Sequence, residues 1–451
     1  MIKTFKNISI ICGLMLSIFS GLVPEAFASE IDKALAEAGQ IEQSFDSGKS
    51  ASDLSTLADY LAFADANSPA IRAAFYKWKG NIEQIAQISL PDPMLMHSFN
   101  PKNFNSDGRM PEYMIGVSQG FPWPGTIGSG KDAAFERARA EFQKFQSERY
   151  ALHYMVKKGF YEYYLLNREI SIVRDNIYLI ESWEAVARAG YTSADKPQSD
   201  LLMAQVELGK MKTRLSSLED KINPYKEYLR SLVYLPDSIN IAAPDTISDE
   251  ILDIDEGRVK TVILQVNPDL QSMSYMTAME RNMVRQAAKM NLPMFNVGLD
   301  YKSAGASMNQ DMTQEPQHSW MVNIGISIPI WLGRNKARNN EAKARLMEAE
   351  YGQLDFKSKL GATIDQKLFD LRDARRQIEL YQSGLIALAE QSLNTAYKSY
   401  QAGSLEFISV IDAQRQLLDF ILDLEQARVD YSTTRAELEM LMGQDIDNFR
   451  L

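Results

Sequence analysis

Cysteine, histidine and long apolar runs are nearly missing from this chain of 451 residues, which has one cysteine, Cys12, and three histidines, His97, His153 and His318. Cys12 sits in an N-terminal apolar stretch with the marks of an export signal: Lys3 and Lys6 ahead, Ile8 to Phe19 as core, and Ala26-Phe27-Ala28 as a small-x-small cleavage site. The mature chain is therefore expected to start near Ser29, with 46 basic and 58 acidic residues and no cysteine for a disulfide framework or thiolate metal site. The signal core is too short to remain as a spanning anchor, and beyond it no apolar run reaches the roughly 18 residues of a transmembrane helix. If this chain crosses a membrane, it does so by strands. The acidic balance and the lack of any basic run speak against nucleic acid as a partner. No nucleophile, base and metal constellation points to a secreted hydrolase.

What is present is helix. Stepping three and four residues from Phe135 to Tyr191 gives an apolar stripe interrupted only by Arg149, Gly159 and Glu184, with no proline inside it. A 3.5-residue repeat of that length keeps one seam against a partner helix, and the helix would be roughly 85 Å long. After the breaker TSADKPQS, the stripe Leu201, Ala204, Leu208, Met211, Leu215, Leu218, Ile222, Tyr225, Leu229, Leu232 predicts a second helix to about residue 235, kinked by Pro224. Ahead of these come a short helical pattern in 29–50, a capped helix from Ser52 to Asn67-Ser68-Pro69, and a stripe of Ile71, Phe75, Trp78, Ile82 and Ile85 that stops at Pro91-Asp92-Pro93.

Strands are expected at 94–99, 112–122, 294–302 and 319–330, with polar loops at 100–111 and 303–318. The last three alternate. Tyr113, Ile115 and Val117, then Phe295, Val297, Leu299 and Tyr301, then Trp320, Val322, Ile324 and Ile326 form apolar faces opposed by Gly, Ser, Asn or charge. One face is suited to lipid and the other to water. Tyr113, Trp123, Tyr301 and Trp320 suit either interfacial girdles or ordinary packing.

The order then repeats. After an acidic connector at 236–257, Asn267-Pro268 answers Asn67-Ser68-Pro69, and a long helix over 335–400 and a closing helix over 406–442 follow the second strand pair. Adding 209 to the stripe of residues 201–232 yields nine apolar residues out of ten, with Tyr191/Tyr400 and Ala204-Gln205/Ala413-Gln414 identical. We read two repeats, 29–250 and 251–451, each of helix, strand, strand, long helix, tip and helix. An open four-stranded sheet is forbidden in lipid and closed barrels need about eight strands. Other copies must complete the ring, and three chains would supply twelve strands and twelve long helices.

The NP helix starts, the strand-to-helix step at Val117 to Gly125, and the run from Tyr400 through Gly403 to Asp412-Ala413-Gln414 together resemble the TolC-type outer-membrane efflux family over nearly the whole mature chain. The resemblance implies a mainly α fold with a β-barrel portion: a homotrimer with a twelve-strand barrel in outer-membrane lipid and a helical tunnel in the periplasm of a Gram-negative cell. It further implies a passive exit duct, not an enzyme, without cofactor, docked on a periplasmic adaptor and an inner-membrane pump. It assigns the tips Tyr191, Ala194, Gly403, Ser404 and Leu405 to adaptor contact, and Asp200, Tyr400 and Asp412 to a pore gate in which three Asp412 carboxylates attract cations and raise each other's pKa. For Asp200 and Asp412, plain solvated charge is the competing reading. Leu405 stands where the family has a basic residue and Ala194 where it has a glycine, and no acylatable cysteine begins the mature chain.

Other signals read plainly. The run from Gly125 to Lys131 imitates a phosphate loop, but Asp132 replaces the magnesium-binding hydroxyl, and a flexible linker is the simpler reading. Met94, Met96 and His97 are soft-metal candidates set against ordinary strand side chains, and Met273, Met276, Met279 and Met283 read as packing. A periplasmic coiled-coil adaptor or scaffold is the alternative function, and it leaves the strands unexplained.

Overall fold

Apolar residues at helical spacing need a partner along their whole length, and the chain supplies one. The computed structural model describes residues 25–46, 56–100, 112–244, 246–247, 250–304 and 317–446. The proposed signal falls outside them, apart from 25–28, which open α1 (Glu25–Asp46). Helices α2 (Leu57–Asn67) and α3 (Pro69–Gln87) precede strands β1 (Met94–Asn100) and β2 (Glu112–Phe121). There follow α4 (Thr126–Thr192), α5 (Gln198–Asp220), α6 (Ile222–Val233), α7 (Glu256–Val266) and α8 (Pro268–Lys289). Strands β3 (Met294–Ala304) and β4 (Gln317–Ser327) lead to α9 (Leu332–Leu380), a π turn at Tyr381–Leu385, α10 (Ile386–Gln401) and α11 (Phe407–Met442). The element order thus occurs twice.

The helix start placed at Ser52 lies outside the described residues; α2 begins after Thr56, whose capping box with Asp59 satisfies the first-turn amides. The breaks between α2 and α3 and between α7 and α8 are built alike. Ser68 Oγ accepts from the Ile71 amide at 3.3 Å, Asn267 Oδ1 accepts from the Leu270 amide at 2.8 Å, and Pro69 and Pro268 occupy first helical positions where no amide is missed.

Two compact units emerge, and neither is a sequence repeat. Among the described residues, one holds those up to Gly39, in Tyr76–Phe142 and in Ser272–Asp355; the other holds those in Gln40–Phe75, in Gln143–Gln271 and from Phe356 onward. Each draws on both repeats, because strands and helices find partners across the duplication.

In the first unit β1 to β4 form one antiparallel sheet in sequence order. The register sets Val117 opposite both Leu95 and Leu299, Leu299 opposite Val322, and Tyr301 opposite Ile115 and Trp320. The expected apolar residues therefore share one face. It is open to solvent in the single chain: Ile115 is 49%, Val322 67% and Ile324 75% exposed. On the other face Asp300 is buried over Gly116 and accepts a hydrogen bond from Asn323. A Cβ on Gly116 would lie 1.9 Å from Asp300 Oδ1, so the glycine leaves that carboxylate its room. Strand β4 stops at Ser327, short of the expected 330, and Ile328 and Ile330 follow as exposed coil. The same unit explains the phosphate-loop imitation: Lys289 Nζ donates to Gly125 O and Ser129 Oγ, both at 3.0 Å, and Gln286 fills the space beside Gly130.

The second unit is a helical core in two clusters. One joins α4, α5 and α11 through the fully buried Val173, Ile180, Ala204 and Val410, and α10 through Leu393 and Tyr400; the other joins α7, α9 and α11 through Val259, Ile263, Ile364 and Leu438. Burying each large aliphatic side chain contributes about 1.5–3 kcal/mol.

The three interruptions of the long stripe each have a cause here. Arg149 turns to Asp65, donating to Oδ2 at 2.8 Å, while His153 reaches Oδ1 at the same distance. Gly159 lets α6 approach, since a Cβ there would meet Leu232 at 3.2 Å. Glu184 accepts from Gln205 at 3.1 Å.

Two departures concern continuity. The kink expected from Pro224 is a full break at Lys221 between α5 and α6, which puts the proline in a first turn that needs no amide donor. The helix expected unbroken over 335–400 carries the π turn, where Tyr381 donates its hydroxyl to Asp423 at 3.2 Å.

Candidate functional site: the two hairpin tips

Within the second unit, α4 and α5 form one hairpin and α10 and α11 the other. Their tips close by the same device. In the first, the Asp195 amide donates to Gly190 O at 2.9 Å and the Ala194 amide to Tyr191 O at 3.1 Å; in the second, Ser404 donates to Ser399 O at 2.9 Å and Gly403 to Tyr400 O at 3.0 Å. Both are Schellman caps, which need a left-handed residue after the helix. Gly403 supplies it at φ +77, and Ala194 adopts it at φ +60 despite its Cβ. The alanine keeps the standard turn and carries the left-handed penalty of about 1–2 kcal/mol. Ala194→Gly is accordingly expected to raise stability by about 1 kcal/mol in thermal unfolding in detergent, and a fall in stability would refute the strain.

The structure brings together Asp200 and Tyr400, which lie 200 positions apart in sequence. The Tyr400 hydroxyl donates to Asp200 Oδ2 at 3.0 Å, and both side chains are buried. Burial and the neighbouring carboxylate push the Tyr400 phenol well above its ordinary pKa, so it stays a donor. Phe407 packs on its ring at 5.1 Å, and Lys196 Nζ donates to Tyr400 O at 2.8 Å while standing 4.2 Å from the ring centre.

Asp412 is not part of that pair. It lies on the exposed side of α11, 3.4 Å from Arg415, which turns its fork to Glu207 on α5. Glu207 is 2% exposed, and the Arg415 bond holds its carboxyl below the usual glutamate range. Arg415 thus shares its charge between Asp412 and Glu207. Sequence reasoning passed over Glu207 although it sits at stripe spacing: the buried face of α5 is Asp200, Ala204, Glu207, Met211 and Leu218, one residue off the all-apolar reading at its start.

Of the expected tip residues, Tyr191 is 45% and Leu405 37% exposed. On α5, Leu202 and Val206 also present apolar side chains to solvent. The soft-metal candidates separate: on β1 the pleat puts His97 with Leu95 and Phe99, opposite Ile115, and Met94 and Met96 on the other face.

Paired helical hairpins with polar tip contacts, together with an open, two-faced sheet, are the elements that the resemblance led us to expect. Residues 261–444 match the family model described as outer membrane efflux protein, so the family read from the residues is also the one that the second repeat matches. The fold is shared with a membrane protein of Pseudomonas aeruginosa at 16% identity, with 86% of this chain and 93% of that chain covered and a TM-score of 0.71. It is also shared with the outer membrane protein VceC of Vibrio cholerae (16% identity, 86% and 96% covered, TM-score 0.68) and the outer membrane channel CmeC of Campylobacter jejuni (14%, 86% and 85%, TM-score 0.71). No curated protein matches the chain in sequence.

Proposed function

We propose that this protein is the outer-membrane exit duct of a tripartite efflux system, a passive conduit that takes small molecules or ions from a periplasmic adaptor and an inner-membrane pump to the exterior. The observation that carries the reading is the sheet: one face of exposed Ile, Val, Trp and Tyr, a polar opposite face, and β1 and β4 as edges. In lipid those edges must be paired. Four antiparallel strands leave β1 and β4 running in opposite senses, so β4 of one copy can continue antiparallel into β1 of the next. Three copies would close twelve strands, consistent with the family. Tyr113, Tyr301 and Trp320 would form the aromatic girdle at one membrane interface. The scaffold alternative gives this sheet no task.

The gate reading assigns closure to Asp200 with Tyr400, and cation attraction at the entrance to Asp412, moderated by Arg415. Tyr191, Ala194, Gly403, Ser404 and Leu405 are the proposed adaptor contacts. The test is conductance of the full chain in planar bilayers. Wild type is expected to conduct weakly, the Asp200→Asn, Tyr400→Phe double variant several-fold more, and Asp412→Asn with reduced cation preference. A water-soluble monomer that never conducts would sink the reading.

A further inference from the structure

The tip geometry is one-sided although the sequence is duplicated. Offsetting by 209 pairs Gly190 with Ser399, Tyr191 with Tyr400, Lys196 with Leu405 and Asp200 with Ser409. Tyr400 is 3% exposed and bonded at both ends, whereas its counterpart Tyr191 is 45% exposed. We propose that Lys196 is the cationic member of a three-residue latch, with Asp200 and Tyr400, that fastens the first tip turn to the end of α10 and sets how tightly the duct rests closed. This rests on the exit-duct reading.

Three observations support it. Lys196 Nζ meets the Tyr400 carbonyl in the last turn of α10, sharing that acceptor with the Gly403 amide, where the negative end of the helix dipole favours a cation. The same ammonium stands 4.2 Å from the Tyr400 ring centre, within cation–π range, so one tyrosine is gripped by its carbonyl, its ring and its hydroxyl. The path of the lysine stem is prepared as well: a Cβ on Gly190 would lie 2.6 Å from Lys196 Cγ and 3.1 Å from its Cβ. At the second tip the glycine, lysine and aspartate positions are all replaced, and with Leu405 there the latch has no second copy among the described residues.

The experiment is resting conductance of the full-length oligomer in planar bilayers, with its thermal stability in detergent measured in parallel. Lys196→Met keeps the stem and removes the charge; it is expected to raise resting conductance at least threefold with an unchanged melting temperature. Lys196→Arg, which keeps carbonyl donation and ring stacking, is expected to stay near wild type. Gly190→Ala would displace the root of the lysine stem and with it the tip turn, and is expected to match Lys196→Met in conductance with some loss of stability. A Lys196→Met channel that conducts like wild type overturns the latch while leaving the duct intact, as does one whose only change is a lower melting temperature. Absence of conductance in wild type itself would instead remove the reading on which the latch rests.

Discussion

Phe407→Ala is expected to cost about 3–5 kcal/mol, the usual loss for a fully buried aromatic truncated in a packed core. Phe407 is 1% exposed at the first position of α11, packed on the Tyr400 ring and in one cluster with Val410, Ile411 and Ala204. A cavity there removes the wall against which Tyr400 is held for its bond to Asp200. Equilibrium urea unfolding of the detergent-solubilised protein would give the loss, and hydrogen exchange would show whether the first turns of α11 open first. A cost under about 1 kcal/mol would mean that the site collapses around the missing ring and that Tyr400 is positioned by something else.

Arg415→Met is expected to cost about 3 kcal/mol at neutral pH, because removing the half-exposed guanidinium leaves the buried Glu207 carboxylate without its main partner. The value sits at the low end of that range since Lys210 remains 3.8 Å from Glu207. The pH dependence gives the sharper check. In wild type the Glu207 pKa is lowered by Arg415. Its contribution is therefore present above the unfolded glutamate value, about 4.3, and fades as pH falls through the lower folded one. In the variant, burial without the guanidinium raises the same carboxyl. Its neutral form then fits the site, and stability is lost as pH rises through the raised value. The gap between the two proteins should be widest near pH 7 and narrow as pH falls below the unfolded glutamate range, closing only once the lowered folded value is passed. A gap independent of pH would show that Arg415 acts through its stem.

The long helices, the strands and the duplication were legible in the sequence because each follows from a local period. A seam of Val, Ile and Leu at 3.5-residue spacing has nowhere to go but against another helix. Tyr113, Ile115 and Val117 fall on one face because side chains alternate along a strand. The offset of 209 even reaches the turns, where Ala194 and Gly403 share a left-handed backbone.

The tip chemistry was not legible in the same way. A helical apolar face is about 100° wide, and neighbouring residues are about 100° apart, so periodicity alone admits both Asp200 with Glu207 and Leu201 with Leu208 as its centre line. Which pair turns inward is settled by what lies opposite: Tyr400 and Arg415 receive the acids, and Leu201 and Leu208 sit at the margin. The resemblance supplied Asp200 and Tyr400, whereas neither it nor any local pattern pointed to Lys196 or Glu207. Sequence by itself determined which segments become helix and strand and which faces seek apolar company, since those depend on neighbours a few residues away. Only the tertiary structure decided which charges are buried and with whom, because a carboxylate leaves water only where a donor some two hundred residues distant is already held in place.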